Sequence, residues 1–301
     1  MKDRILLSAA ISALILASCD NNETTIPTEP EDPSGRVAVQ FTGTSFDVSP
    51  ALTRADNPWN QPGTIGIYAL AETTTDIVDG YSNVAYTYDA SQNSFLPDAE
   101  TIYFPVDGSK RRFAAYYPYK ALTGTTYKID LTTQPSPDDQ ASFELLWTGV
   151  TDAYNKEHPD VALKFGHRYA KITVKVQNGT GIDEADLKDI TVAMTGMHLK
   201  GDFDVVSGKM TPTDDPGNLT FWRNANGSEH HALVMPTADE QGRTMDFTLG
   251  GDTFRWAIGD KKFDAGKTYD YTVTVNRTPL GITATVTGWE EGERDGEGVA
   301  Q

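Results

Sequence analysis

The chain has 301 residues, a formal net charge of −18, and 38% hydrophobic and 10% aromatic residues. That apolar content suffices for a packed core and excludes a generically disordered chain. The acidic excess repels phosphate backbones and excludes nucleic acid as an expected partner.

Taken in chain order, the first segment fixes the compartment. Lys2 and Arg4 precede an uncharged, largely apolar run at residues 5–17, too short for a membrane span of about 20 residues but suited to a signal peptide. The run ends in Leu16, Ala17, Ser18 and Cys19, which resembles the lipobox of bacterial lipoproteins, and Cys19 is the single cysteine of the chain. The small residues suit a signal-peptidase cleft, and the Cys19 thiol would take the diacylglycerol, tying the chain to the outer membrane. A buried cysteine in an ordinary signal anchor is the alternative. With no second thiol, the core must stand on packing and hydrogen bonds without a disulfide. Residues 19–36 are polar, acidic and Pro-rich, a tether. Val37, Val39 and Phe41 then alternate with Ala38 and Gln40, the period of a half-buried strand, and Phe46 and Val48 continue it after Gly43.

After a second Pro-rich break at residues 49–63, strand patterns follow one another: TIGIYAL (64–70), NVAYTYD (83–89), RRFAAYYPY (111–119), TYKIDL (126–131) and FELLWTGV (143–150). In the second half come VALKF (161–165), KITVKV (171–176), DITVAM (189–194) and HALVMP (231–236), with Gly250 and Gly251 marking a tight hairpin between two alternating runs. The last pair is KTYDYTVTVN (267–276) and GITATVTGW (281–289). Helical periodicity is almost absent, apart from one possible turn at residues 183–188. The pattern predicts an all-β chain of β-sandwich type. Its expected organisation is a signal peptide at 1–18, a tether at 19–36, β-domains at 37–160 and 161–289, and a disordered tail at 290–301.

No catalytic constellation emerges, so an enzyme is not expected, and neither is a cofactor or a metal. Gly266, Lys267 and Thr268 look like the end of a phosphate loop, but Lys261 stands where its first glycine belongs, and a strand follows. His230 and His231 are adjacent, so a strand points them to opposite faces. Asp202, Asp204, Asp214 and Asp215 could approach a calcium ion, yet they lack the EF-hand loop and read first as solvated turn carboxylates. His167 reads as a packing residue. Tyr116, Tyr117 and Tyr119 would stack a sugar if exposed, though alternating strand aromatics are more often core. The sequons at Asn178, Asn218, Asn226 and Asn276 read as turn chemistry.

Several segments together resemble the fimbrillin family, the Mfa-like lipoprotein subunits of type V pili in Gram-negative anaerobes. They are FAAYYP (113–118), VALKFGHRYAKITV (161–174), LKGDF (199–203), ALVMP (232–236), FDAGKTY (263–269) and GW (288–289). The resemblance implies two transthyretin-like β-sandwich domains, polymerisation with other fimbrial subunits, and maturation by an arginine-specific protease. The matching position is the Arg54–Ala55 bond, in LTRA (52–55). Cutting there would discard anchor, tether and first strand, leaving an edge that another subunit's strand could fill. The candidate donor is GITATVTGW, through Ile282, Ala284 and Val286. A solvated loop arginine is the alternative at Arg54. For the whole chain, a surface glycan-binding lipoprotein and a permanently lipidated fimbrial anchor or accessory protein stand as alternatives.

Overall fold

The computed structural model describes residues 35–44, 63–237, 242–258, 261–278 and 281–292. Cys19, Arg54, Ala55, Phe46, Val48 and the last nine residues lie outside them. The protein is all-β, as its alternating runs predict.

The N-terminal half forms β1 (Gln40–Thr44), β2 (Thr64–Ala71), β3 (Val84–Asp89), β4 (Ser94–Pro97), β5 (Arg111–Tyr117), β6 (Thr126–Asp130), a one-turn helix α1 (Gln140–Phe143) and β7 (Leu146–Val150). Next come β8 (Asp160–Lys164) and β9 (Gly166–His167). One sheet takes the order β8-β1-β4-β3-β2-β5-β7-β9. Its end strands β8 and β9 are separated only by Phe165, so the sheet curls back on itself around an inner core. That core contains Phe41, Ile65, Ile67, Phe113, Val161 and Leu163. The middle strands β2 and β5 are buried on both faces. Tyr68, Leu70, Ala114 and Tyr116 face a second core, which accounts for the near-continuous apolar character of TIGIYAL and FAAY.

The C-terminal half comprises β10 (Ala170–Asn178), a 3-10 turn at Glu184–Asp189, β11 (Thr191–Met197), β12 (Lys200–Asp204), β13 (Met210–Pro212), β14 (Gly217–Thr220) and β15 (Trp222–Arg223). It continues with β16 (Glu229–Val234), β17 (Thr244–Leu249), β18 (Asp252–Ala257), β19 (Thr268–Thr278) and β20 (Gly281–Gly292). Sheets β15-β16-β10-β19-β20 and β14-β11-β17-β18 face each other as a β-sandwich. Between them lie Ile172, Val174, Val192, Met194, Phe247 and Val273. Gly250 and Gly251 take positive φ of 62° and 93° at the β17–β18 hairpin, the backbone that a two-residue turn demands.

The halves are joined by more than a linker. β6 pairs with β12 across the chain, Phe203 opposite Tyr127, and β13 completes a three-stranded sheet. The second core lies here, combining Tyr116, Tyr127 and Ile129 with Phe203, Val205 and Leu233. The boundary expected at 160/161 falls at the start of β8. β8 and β9 pair within the N-terminal sheet, so residues 160–167 sit with the first half in strand pairing. At the other end β20 runs three residues past Trp289, into the segment expected to be tail.

Burial of His230 is expected to make this fold acid-sensitive. His230 is fully buried, with Nε2 3.1 Å from the Gly227 carbonyl oxygen and Nδ1 unpartnered. Burial lowers its pKa from the ordinary 6.5 to about 4. The unfolded chain therefore takes up a proton between those values that the folded chain refuses. The stability contribution is fully present above pH 6.5 and is lost as pH falls through 4. His230→Gln is expected to shrink the stability difference between pH 7.5 and pH 4.5 by about 2 kcal/mol in denaturant titrations. An unchanged difference would mean that His230 does not govern the acid limb.

Candidate functional site

The structure gives the first strand a position that alternation alone could not. β1 runs parallel to β8 over five register pairs, from Gln40 opposite Asp160 to Thr44 opposite Lys164. On its other side it is antiparallel to β4, with Phe41 opposite Phe95 and Thr42 opposite Ser94. Just before β1, Val39 N–H donates to the Ile102 carbonyl at 2.9 Å, and the Val37 carbonyl accepts from Phe104 N–H at 2.9 Å. Gln40 N–H donates to the Pro159 carbonyl at 2.9 Å. β1 is thus an interior strand, so its loss would leave two edges where the sequence reading expected one. Withdrawing it leaves two facing ladders unpaired, on β4 and β8, across a gap of about 10 Å, twice the strand spacing.

The inward side chains are equally committed. Phe41 is 1% exposed and makes edge-to-face contacts with Tyr86 (centroids 5.2 Å) and Phe113 (5.1 Å). Val39 is also buried, and Arg36 lies 4.3 Å from the centroid of Tyr103. Gly43 lies under the Phe95 ring. A Cβ at position 43 would stand 2.8 Å from Phe95 Cε2. Phe95, Ile102, Phe104, Val161 and Leu163 were not recognisable as parts of one site from the sequence. Gly43 inside a strand pattern was the available signal, since such a glycine often marks a close approach.

The candidate donor segment is β20, at the edge of the five-stranded sheet. Among the described residues it pairs with β19 alone, with Ala284 opposite Val275 and Val286 opposite Val273, and a register shift occurs between Tyr271 and Thr272.

Other candidate residues resolve into structural roles. Tyr116 is fully buried, and its hydroxyl donates to Asn83 Oδ1 at 2.8 Å, so it cannot stack a sugar. His167 Nδ1 is 3.0 Å from Glu144 Oε2. Asp202 pairs with Lys128 at 2.8 Å, and Asp204 accepts from Thr125 and from Ser207 N–H. Partial burial opposes ionisation of Asp214. Its bonds from Leu199 N–H (2.9 Å) and Lys200 N–H (3.0 Å), with His198 beside it, outweigh that and hold the carboxyl below its usual range. Among the described residues no group of three His, Cys, Asp or Glu converges on a metal position. Thr268 opens β19, so Gly266 and Lys267 do not lead into a helix.

A family model for fimbrillin-like proteins matches residues 53–289. The chain belongs to the fimbrillin-like family. A Bacteroides uniformis protein named "Putative fimbrium subunit Fim1C" is 31% identical to this fimbrillin-like chain over 312 residues, covering 99% of this chain and 98% of the relative. The crystal structure of a "putative cell adhesion protein" from Bacteroides uniformis superposes with a TM-score of 0.68 at 29% identity, covering 85% of this chain and 99% of that one. A second such structure, from Bacteroides ovatus, shares the fold at a TM-score of 0.61 and 19% identity, covering 85% and 98%. The fimbrillin-like match begins at Thr53, beside Arg54, and leaves β1 outside it.

Proposed function

We propose that this chain is exported as a lipoprotein acylated on Cys19, cut after Arg54 by an arginine-specific protease, and built into a surface fimbria by strand exchange at the position of β1. One observation carries the reading. β1 is the described strand that precedes Arg54, and both of its hydrogen-bonded neighbours follow Arg54 in the chain. A single cut in the intervening segment would sever its covalent link to every strand that holds it. The unpaired β4 and β8 ladders and the pocket around Phe41 would then accept an extended segment of another subunit. β20, with one hydrogen-bonded neighbour, is the candidate donor through Ile282, Ala284 and Val286. Donation requires its ladder with β19 to open. The two halves are read as tandem transthyretin-like domains, consistent with the sandwich in the second. The lipid on Cys19 would hold the precursor at the outer membrane until the cut transfers it to the fibre.

Intact mass tests the sequence of events. Chains sheared from the cell surface as fibres should begin at Ala55, and membrane-bound chains should begin at an acylated Cys19. Stable anchoring needs more than one acyl chain, at ~0.8 kcal/mol per buried methylene. Cys19→Ala should therefore remain an unlipidated precursor that takes up no labelled fatty acid. Fibre chains that begin at Cys19 would refute release, and a labelled Cys19→Ala chain would refute the anchor.

A further inference from the structure

The slot discriminates among strands, and its inward face shows how. Three positions of β1 and its lead-in face the core: Val39, Phe41 and Gly43. Phe41 fills a deep pocket between Tyr86 and Phe113. Gly43 is opposite Leu163 on β8 and lies beneath Phe95, which is itself 3% exposed and packs on Tyr88 at 5.3 Å and on Phe165 at 6.2 Å. A ring held on two sides cannot swing away cheaply, so a side chain at position 43 meets a fixed wall. An aromatic covering a cross-strand glycine is also a known way of pinning register.

The same spacing of apolar residue, any residue, apolar residue, Thr and Gly occurs three more times in the chain. It falls at residues 145–149, 192–196 and 284–288. The first two fall on β7 and β11, which have strand neighbours on both sides, whereas the third falls on β20, an edge strand. We propose that the slot selects its occupant by this spacing, with Phe95 enforcing glycine, and that the β20 segment of a second copy enters parallel to β8. Ala284 then takes the place of Val39, Val286 that of Phe41, and Gly288 that of Gly43 beneath Phe95. The assignment rests on the strand-exchange reading above. Val286 underfills a pocket built for phenylalanine, so β1 is the tighter occupant. Exchange therefore requires that β1 first be cut free.

The test uses the folded full-length chain carrying Cys19→Ala, with a site-specific protease sequence replacing residues 51–56. After the cut, labelled peptides of residues 36–46 and 281–291 are offered in excess. The first should bind the cut protein and not the uncut one. Gly43→Val in that peptide should weaken binding at least tenfold, although valine has the higher strand propensity, so intrinsic preference predicts the opposite sign. Phe95→Leu in the protein should narrow that penalty. The 281–291 peptide should bind more weakly than the first, tighten with Val286→Phe, and fail with Gly288→Val. Equal binding of the Gly43→Val peptide overturns the glycine rule and leaves strand exchange standing. Failure of both wild-type peptides to bind the cut protein counts against strand exchange itself. Glycine-dependent binding of residues 36–46 alone removes β20 as the occupant.

Discussion

Cells carrying Arg54→Ala are expected to accumulate a full-length, membrane-bound chain and to show no ladder of multimers on unheated gels. The expectation follows from where β1 sits. An interior strand held by five parallel register pairs on β8 and further bonds to β4 and to residues 102–104 does not leave on its own. While it stays, no ladder in that part of the sheet is open to a second chain. A covalent tether makes matters worse for a competitor, because a displaced β1 remains at high effective concentration and returns. Cutting removes that advantage. Trimming the purified wild-type protein at Arg54 should accordingly start multimer growth, and Ile282→Asp with Val286→Asp should stop growth after a normal cut. Normal multimer ladders from Arg54→Ala cells would sink the mechanism. Normal growth of the Ile282/Val286 variant alone would move the donor elsewhere.

Phe41→Ala should be the most damaging single truncation in the first strand. A buried phenylalanine with two edge-to-face ring contacts loses roughly 3–5 kcal/mol on truncation to alanine, from lost transfer energy and the cavity left behind. Measured by denaturant unfolding of the uncut chain, a loss of that size would show that β1 is part of the core it plugs. Thr42→Ala, on the outward face of the same strand, should cost no more than about 1 kcal/mol. If Phe41→Ala also costs under about 1 kcal/mol, β1 does not fill the slot in solution.

Much of the local structure was legible in the residues because side-chain direction in a strand has a period of two and is fixed by near neighbours. KITVKV predicts Ile172, Val174 and Val176 on one face, and all three are buried in the sandwich. TLGGD predicts a hairpin, and Leu249 pairs with Asp252. The decoy carboxylates read as turn residues, and Asp204 is held by Ser207 N–H of its own turn, whereas Asp214 is held by Leu199 and Lys200 N–H at the start of β12. Alternation fails where both faces are covered. FAAYY forms β5, the wall between two cores, which is why Tyr116 is core and not a platform.

Sequence alone determined the all-β class and the apolar pattern of the first strand, and it supplied the resemblance to a lipobox at Cys19 and the arginine in the Pro-rich break, since each is a property of contiguous residues. Tertiary structure decided which strands are neighbours. Alternation says which side of a strand is buried, and it carries no information about what lies beside the backbone. Hence β1 gained β8, about 120 residues away, and β4 as partners, which makes it an interior strand. Hence also β6 crossed to β12 and welded the two halves through a shared core, and β8 joined the first half's sheet across the expected boundary. Gly43 shows the division at one residue. The sequence marks it as unusual, and only the Phe95 ring 2.8 Å from its missing Cβ explains why.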